Sequence, residues 1–201
     1  YGTGRNGKSK FLDTLEFIFG DYSRHVEPST FEEKQRIDGG GAREDIARLK
    51  DARFISTIET AEGRRLSEDL IKKMTGDRLI TARELYQSSI QFEQKYKLWF
   101  ATNHKPMIKG TDNAIWSRIN LIPFEVYFSE ETRDANLLEK LIAEAPGILN
   151  WAIEGCLLWQ GCGLYIITAG KVKDATSNYR VEMDVLQSFI ADCCVVDNKV
   201  Q

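Results

Sequence analysis

Gly2-Thr3-Gly4-Arg5-Asn6-Gly7-Lys8-Ser9 is the stretch that decides how the rest of the chain is read. It fits the pattern of a phosphate-binding loop: a glycine, four residues, a second glycine, a lysine, then a serine or threonine. Each residue type has a reason. Glycines let successive backbone N–H groups turn inward around a phosphate, and the following helix presents its positive end to the same place. Lys8 supplies charge for β/γ oxygens, and the Ser9 hydroxyl is suited to ligate Mg²⁺. Such a loop follows a β-strand and opens a helix. The segment from Lys8 to about Phe19 provides the helix, with Leu12, Leu15, Phe17 and Ile18 as its apolar stripe and Gly20 as its stop. The strand would precede Tyr1, so the residues are expected to begin inside a longer protein. They open with neither an initiator Met nor a signal peptide.

Outward from the loop, the pattern alternates. An extended stretch near His25 and Val26 is followed by a flexible Gly39–Gly41 loop, a short helix from about Ala42 to Lys50, and an apolar strand from Phe54 to Ile58. Ser67 is placed to cap a helix that runs to Met74 and stops at Gly76. Leu79–Tyr86 and Ile90–Phe92 read as the arms of a hairpin, and Leu98–Ala101 and Leu121–Phe124 as further strands. Beyond Ser129 the pattern is helical: Ala135–Glu144, Gly147–Gln160, Ala169–Tyr179 and Met183–Cys193. Strands alternating with helices, then helices alone, predict an α/β core over residues 1–128 and a helical C-terminal lobe over 129–201.

Composition narrows the class. With 201 residues, 42% hydrophobic and 28% charged, the chain matches globular averages, and no apolar run reaches the roughly 18 residues of a membrane span. Cys156, Cys162, Cys193 and Cys194 have no zinc-knuckle spacing and read as reduced, buried thiols, and His25 and His104 lack metal-ligand partners at suitable spacing. Trp99, Trp116, Trp151 and Trp159 read as core residues. The net charge of −3 argues against a protein that coats nucleic acid by bulk electrostatics. Within it, however, Ile71–Arg118 carries nine basic and four acidic residues, a basic segment in an acidic body.

Nucleotide hydrolysis needs an acid near Mg²⁺, a polar sensor of the γ-phosphate and often an arginine from a neighbour. Glu59 stands at the end of the Phe54–Ile58 strand, where a water-activating or Mg²⁺-binding carboxylate belongs, directly or through water. Asn103 takes the equivalent place after Leu98–Ala101. Arg118 precedes the last core strand. Each alone is an ordinary residue, as a surface acid, a turn residue and a salt-bridge partner; their order after a phosphate loop gives them meaning.

With these residues in view, the chain resembles the phage and plasmid DNA primase-helicase family, whose motor is similar to superfamily 3 helicases of the AAA+ class and which is related to poxviral primase-helicases. The resemblance rests on Gly2–Ser9, on Ile58-Glu59-Thr60-Ala61-Glu62-Gly63 and on Met74-Thr75-Gly76-Asp77 with Ile80-Thr81-Ala82-Arg83. It continues through Lys97–Pro106, Ile115-Trp116-Ser117-Arg118-Ile119 with Ile122-Pro123-Phe124, and Pro146–Ala152. It implies a P-loop NTPase core of the AAA+-like, superfamily 3 type that uses ATP and Mg²⁺. It also implies a replicative motor that assembles as a homo-hexamer, draws single-stranded DNA through the ring, and works beside a primase domain of the same protein in the cytoplasm of a bacterial host cell.

On that basis Gly2, Thr3, Gly4, Arg5, Asn6, Gly7, Lys8 and Ser9 hold the nucleotide, with Ser9 and Glu59 at the metal. Glu59 is the base, Asn103 the sensor and Arg118 the trans-acting finger. A hairpin near Leu79–Phe92 would contact DNA through Arg83, Lys95 and Lys97, with Tyr86 free to stack on a base. Two departures from the family pattern stand out: Glu59 is followed by Thr60 rather than a second acid, and Ser117 fills the first place of a usual arginine pair. A P-loop kinase and a nucleotide-dependent DNA-binding or assembly module without turnover are the rival readings.

Overall fold

The computed structural model describes residues 1–33, 43–58, 62–164, 168–184, 189 and 193–194. Three parallel strands form its central sheet. They are β1 (Ser23–His25), β2 (Phe54–Ile58) and β5 (Lys97–Ala101), in the order β1-β2-β5, with Phe54 opposite Lys97 and Ile58 opposite Ala101. β2 is buried at four of its five positions because it lies in the middle of the sheet and is covered on both faces, the usual state of a parallel strand.

The two faces read directly off the alternation along the strands. Leu12 of helix α1 (Lys8–Phe19) packs with Phe54 and Ala101, flanked by Phe11, Leu15, Ile58 and Trp99. Ile55, Leu98 and Phe100 face the other way, into the main core. That core gathers Phe31, Ile46 of α2 (Glu44–Ala47), Ile71 and Met74 of α3 (Glu68–Gly76), and Ile115 and Trp116 of α4 (Asn113–Trp116). Met74 and Ile115 are wholly buried, each side chain worth about 1.5–3 kcal/mol relative to exposure.

The Leu121–Phe124 segment forms no named strand, a departure from the sequence reading, yet it runs extended beside the sheet. Phe124 N donates to Tyr1 O at 2.8 Å, Tyr1 N donates to Ile122 O at 3.0 Å, and Gly2 N donates to Thr102 O at 3.3 Å. Tyr1–Gly2 therefore sits between the end of β5 and the 122–124 line, at the carboxyl edge of the sheet.

A two-stranded antiparallel hairpin projects from the main core: β3 (Leu79–Arg83) pairs with β4 (Ser89–Glu93), Leu79 opposite Glu93 and Arg83 opposite Ser89. Ile80, Ala82 and Phe92 bury one face, and residues 84–88 form the tip. After residue 129 come α5 (Leu137–Ala143), α6 (Ala145–Gly161) and α7 (Gly170–Met183). Helix α5 lies against α1, whereas α7 returns to the main core, where Tyr179 stands edge-on to Trp116 at 5.2 Å. The expected helix Met183–Cys193 falls largely outside the described residues.

Several sequence expectations are corrected. Phe17 leaves the α1 stripe and is exposed, because five residues after Leu12 it has turned about 140° round the helix. The α2 helix is only four residues long, and Ser67 makes no side-chain cap on α3. Trp151 and Trp159 are exposed on α6, not core, and all four cysteines are free but exposed rather than buried. The reason is shared for Trp151, Trp159, Cys156 and Cys162: α6 is apolar almost throughout, and among the described residues nothing covers most of its surface. No single helix among the described residues is long and apolar enough to cross a membrane.

Candidate functional site

The turn Gly2–Ser9 is shaped by backbone that glycine tolerates. Gly4 and Gly7 have φ of 101° and 86°, and Arg5 adopts φ of 46°. Gly2 is required for a different reason: a Cβ there would collide with the Phe124 carbonyl and the Asn6 amide. Gly7 ends the turn at the N-terminus of α1, where no side chain caps the first N–H groups, so the partial positive charge of the helix end is left facing the turn.

Lys8 is the centre of the site. Its side chain is carried into the fold, leaving the residue only 7% exposed, and its ammonium donates to Gly2 O at 2.6 Å, Asn6 Oδ1 at 3.0 Å and Asn103 Oδ1 at 2.8 Å. These bonds use the three hydrogens an ammonium has. All three acceptors are neutral. Burial lowers the Lys8 pKa below the ordinary lysine value. A buried cation held, among the described residues, by neutral oxygens alone is costly to maintain, and an anion entering the turn would supply counter-charge. The donor set therefore fits a phosphate.

Asn6 is buried as well and bridges two elements: its amide nitrogen donates to Phe124 O at 3.1 Å while its oxygen receives Lys8. The line after Arg118 is thereby tied to the lysine. Sequence reading placed Asn6 in the loop and gave it no distinct task, because its Phe124 partner lies 118 residues away. Thr3 and Ser9 are exposed at the turn and the first helical turn respectively.

Beside Lys8 opens a polar cavity of about 480 Å³, lined by Tyr1, Glu62, Gly63, Asn103, His104, Lys105 and Glu182. Glu62 and Asn103 thus share one cavity at the carboxyl ends of β2 and β5. Glu59 lies outside the described residues; the strand is seen as far as Ile58, paired with Ala101. Among the described residues no cluster of three or more His, Cys, Asp or Glu is arranged to hold a metal.

The cavity wall depends on α7, a helix legible in the sequence, through contacts that the sequence did not foretell. Lys105 donates to both oxygens of Glu182 at 2.7 and 2.6 Å, Tyr179 donates its hydroxyl to Pro106 O, and Leu121 N donates to Thr176 Oγ1 at 2.9 Å. Arg180 reaches Thr111 O at 2.6 Å, and Lys171 reaches Glu125 at 3.0 Å. One helix straps both the segment after Asn103 and the segment after Arg118.

Arg118 does not join Lys8 and Asn103. Its guanidinium donates to Ala114 O and lies against Gly76 at the end of α3, where an added Cβ would have to push the guanidinium aside. On the hairpin, Tyr86 stands at the tip with φ of 61° and 98% exposure, the highest among the large hydrophobic side chains of the described residues. Lys95 is engaged with Glu93 at 3.3 Å, which Arg78 also meets at 3.0 Å; together the two cations hold the Glu93 carboxyl below its ordinary range. Arg83 and Lys97 are exposed.

A parallel α/β sheet thus carries a glycine-bearing turn, with the Lys8 ammonium at its end, at its carboxyl edge. Residues 1–118 match the family model described as "Family of unknown function (DUF5906)", and the chain belongs to that family. "Putative helicase L207/L206" of Acanthamoeba polyphaga mimivirus is 32% identical over 215 residues, an alignment that takes in 98% of this chain and 22% of that protein. "Putative helicase 022R" of Frog virus 3 is 26% identical, over 95% of this chain and 21% of its own length. "Putative primase C962R" of African swine fever virus is 25% identical, over 69% and 14%. The chain spans about a fifth of the mimivirus and frog virus relatives. Among solved structures, the apo C-terminal region of NrS-1 shares the fold at a TM-score of 0.54, with 14% identity over 73% of this chain and 33% of that one. The resemblance to the primase-helicase family is thus met by viral relatives that carry both names.

Proposed function

We propose that this chain is the ATP-binding motor segment of a viral replicative helicase, a P-loop core of the AAA+-like, superfamily 3 type. The observation that supports it best is the buried Lys8 ammonium, bonded to Asn103 from the neighbouring strand end and, among the described residues, to no carboxylate. On this reading Gly2 to Ser9 wrap the phosphates, Lys8 neutralises β/γ oxygens, and the Ser9 hydroxyl and Glu59 hold Mg²⁺, Glu59 directly or through water. When bound, Mg²⁺ supplies charge neutralisation at the phosphate oxygens. Glu59 accepts the proton of the attacking water, and Asn103, released in part from Lys8, orients the γ-phosphate.

Arg118, away from the Lys8 cluster of its own subunit, serves the site of a neighbour in a homo-hexamer. The β3–β4 hairpin meets single-stranded DNA, Tyr86 stacking on a base while Arg83 and Lys97 face phosphates and Lys95 shifts from Glu93. A primase domain elsewhere in the full-length protein completes the assembly.

The test is Lys8→Ala in the full-length protein. Losing one charge-assisted contact of about 1.5–3 kcal/mol predicts an ATP affinity roughly ten- to a hundredfold lower, with an unchanged circular dichroism spectrum. Equal ATP binding and equal phosphate release by mutant and wild type would refute the reading.

A further inference from the structure

We propose that Tyr127 and Phe128 form the platform on which the nucleobase of the bound nucleotide stacks, and that this platform favours purines. The inference rests on the reading of Gly2–Ser9 as a phosphate site and adds the other end of the ligand.

Val126, Tyr127 and Phe128 are three consecutive large apolar residues, exposed by 61%, 61% and 41%. Their exposure does not come from a loose segment. Phe128 N donates to Arg5 O at 2.8 Å, Arg5 Nη1 reaches Tyr127 Oη at 3.5 Å, and the Arg5 guanidinium pairs with Glu130 at 3.1 Å. Arg133 holds the other Glu130 oxygen at 2.8 Å, and two residues before Val126 the Phe124 carbonyl accepts from Asn6. Exposed rings are therefore fastened, by backbone and side chain, to the middle of the turn whose end carries Lys8.

The unfavourable φ of Arg5 belongs to this arrangement, since its carbonyl is the acceptor for Phe128. A non-glycine residue in the left-handed region costs free energy that the surroundings must offset. Here the return is a fixed link between turn and platform.

The chemistry of the ligand follows. A nucleotide whose phosphates occupy Gly2–Ser9 has an aromatic base at its other end, and a base is a flat apolar surface that aromatic side chains accept without a hydrogen-bond code. The Arg5 charge is already compensated by Glu130, so recognition depends on ring area, and a purine offers more of it than a pyrimidine. The same rings could serve a base of single-stranded DNA; the tether to the turn favours the nucleotide.

Equilibrium dialysis of the full-length protein with MgATP, MgCTP and magnesium tripolyphosphate tests this. Wild type is expected to bind ATP more tightly than CTP, and both more tightly than tripolyphosphate. Tyr127→Ala/Phe128→Ala is expected to lose about tenfold or more in ATP affinity, the scale of one base stack, while tripolyphosphate affinity stays at the wild-type value. Tyr127→Phe keeps the ring and should keep ATP affinity.

Unchanged ATP affinity in the double variant overturns the platform. So does an equal loss for tripolyphosphate, which would make the rings a support for the turn, and so does a loss confined to single-stranded DNA. If wild type binds neither ATP nor tripolyphosphate, the phosphate reading itself fails and the platform with it. If tripolyphosphate binds in a Lys8-dependent way while ATP ignores the rings, only the platform fails.

Discussion

Lys8 Nζ and Asn103 Oδ1 lie 2.8 Å apart, joining the first turn of α1 to the residues that follow β5. The pair couples the element that would carry phosphate to the element that would sense it. The bond occupies one of the three ammonium hydrogens, so an arriving phosphate oxygen and Asn103 compete for the same cation.

Changing Asn103 separates binding from turnover. Asn103→Ala frees one hydrogen of Lys8 and should leave ATP affinity within about threefold while lowering the hydrolysis rate about 10²-fold, as loss of one oriented polar group at a reacting centre does. Asn103→Asp places a carboxylate against Lys8, satisfies the cation internally, and should weaken ATP binding more than alanine does. Fluorescent-nucleotide titration alongside single-turnover hydrolysis reads both quantities. Weaker binding by the alanine variant than by the aspartate variant would contradict this competition.

The acid at the metal is decided by comparing Glu59→Gln with Glu62→Gln. Glu59→Gln should retain ATP and lose hydrolysis by about 10²–10⁴, since the amide keeps the shape but accepts no proton. Glu62, which lines the cavity with Asn103, should tolerate the change. The opposite outcome would assign Glu62 as the base.

Arg118 is predicted to act across a subunit boundary. Arg118→Ala should lower turnover by roughly 10³–10⁵ in the assembled protein, the scale of arginine fingers. Mixed with Lys8→Ala subunits, which still carry Arg118, it should regain activity, because some neighbouring pairs then combine an intact nucleotide turn with an intact finger. Mixed assemblies that form and recover nothing, together with wild-type turnover by Arg118→Ala alone, would return Arg118 to its contact with Ala114.

Tyr96 offers a test of the core. It is 1% exposed, its hydroxyl has no hydrogen-bond partner among the described residues, and burial raises its pKa from the ordinary 10 to about 12. Tyr96→Phe removes an unsatisfied buried group and should stabilise the fold by about 1 kcal/mol at neutral pH. The pH dependence has a definite sign. Between about pH 10 and 12 the unfolded chain releases this proton while the folded chain retains it, so the stabilisation present below pH 10 is lost as pH rises. The Tyr96 contribution to that alkaline slope should vanish in Tyr96→Phe, read by denaturant unfolding at a series of pH values.

What the sequence determined by itself was local. The Gly2–Ser9 turn, α1 with its Gly20 stop, the buried β2 and the hairpin arms were legible because spacing, glycine conformations and two-residue alternation act over a few neighbours. Asn103 could be picked out as the residue after β5, but its bond to Lys8, 95 residues away, belongs to the fold. Tertiary structure alone decided that the residues before Phe124 would run beside Tyr1 without forming a named strand, and that Asn6 would bridge Phe124 to Lys8. It also decided that α7 would strap the segments after Asn103 and Arg118. The exposed α6 shows the limit most clearly. Its apolar residues signal a helix that wants covering, but apolarity carries no direction. Whether Trp151 and Trp159 are core or surface depends on which elements reach them, and the described residues leave both exposed.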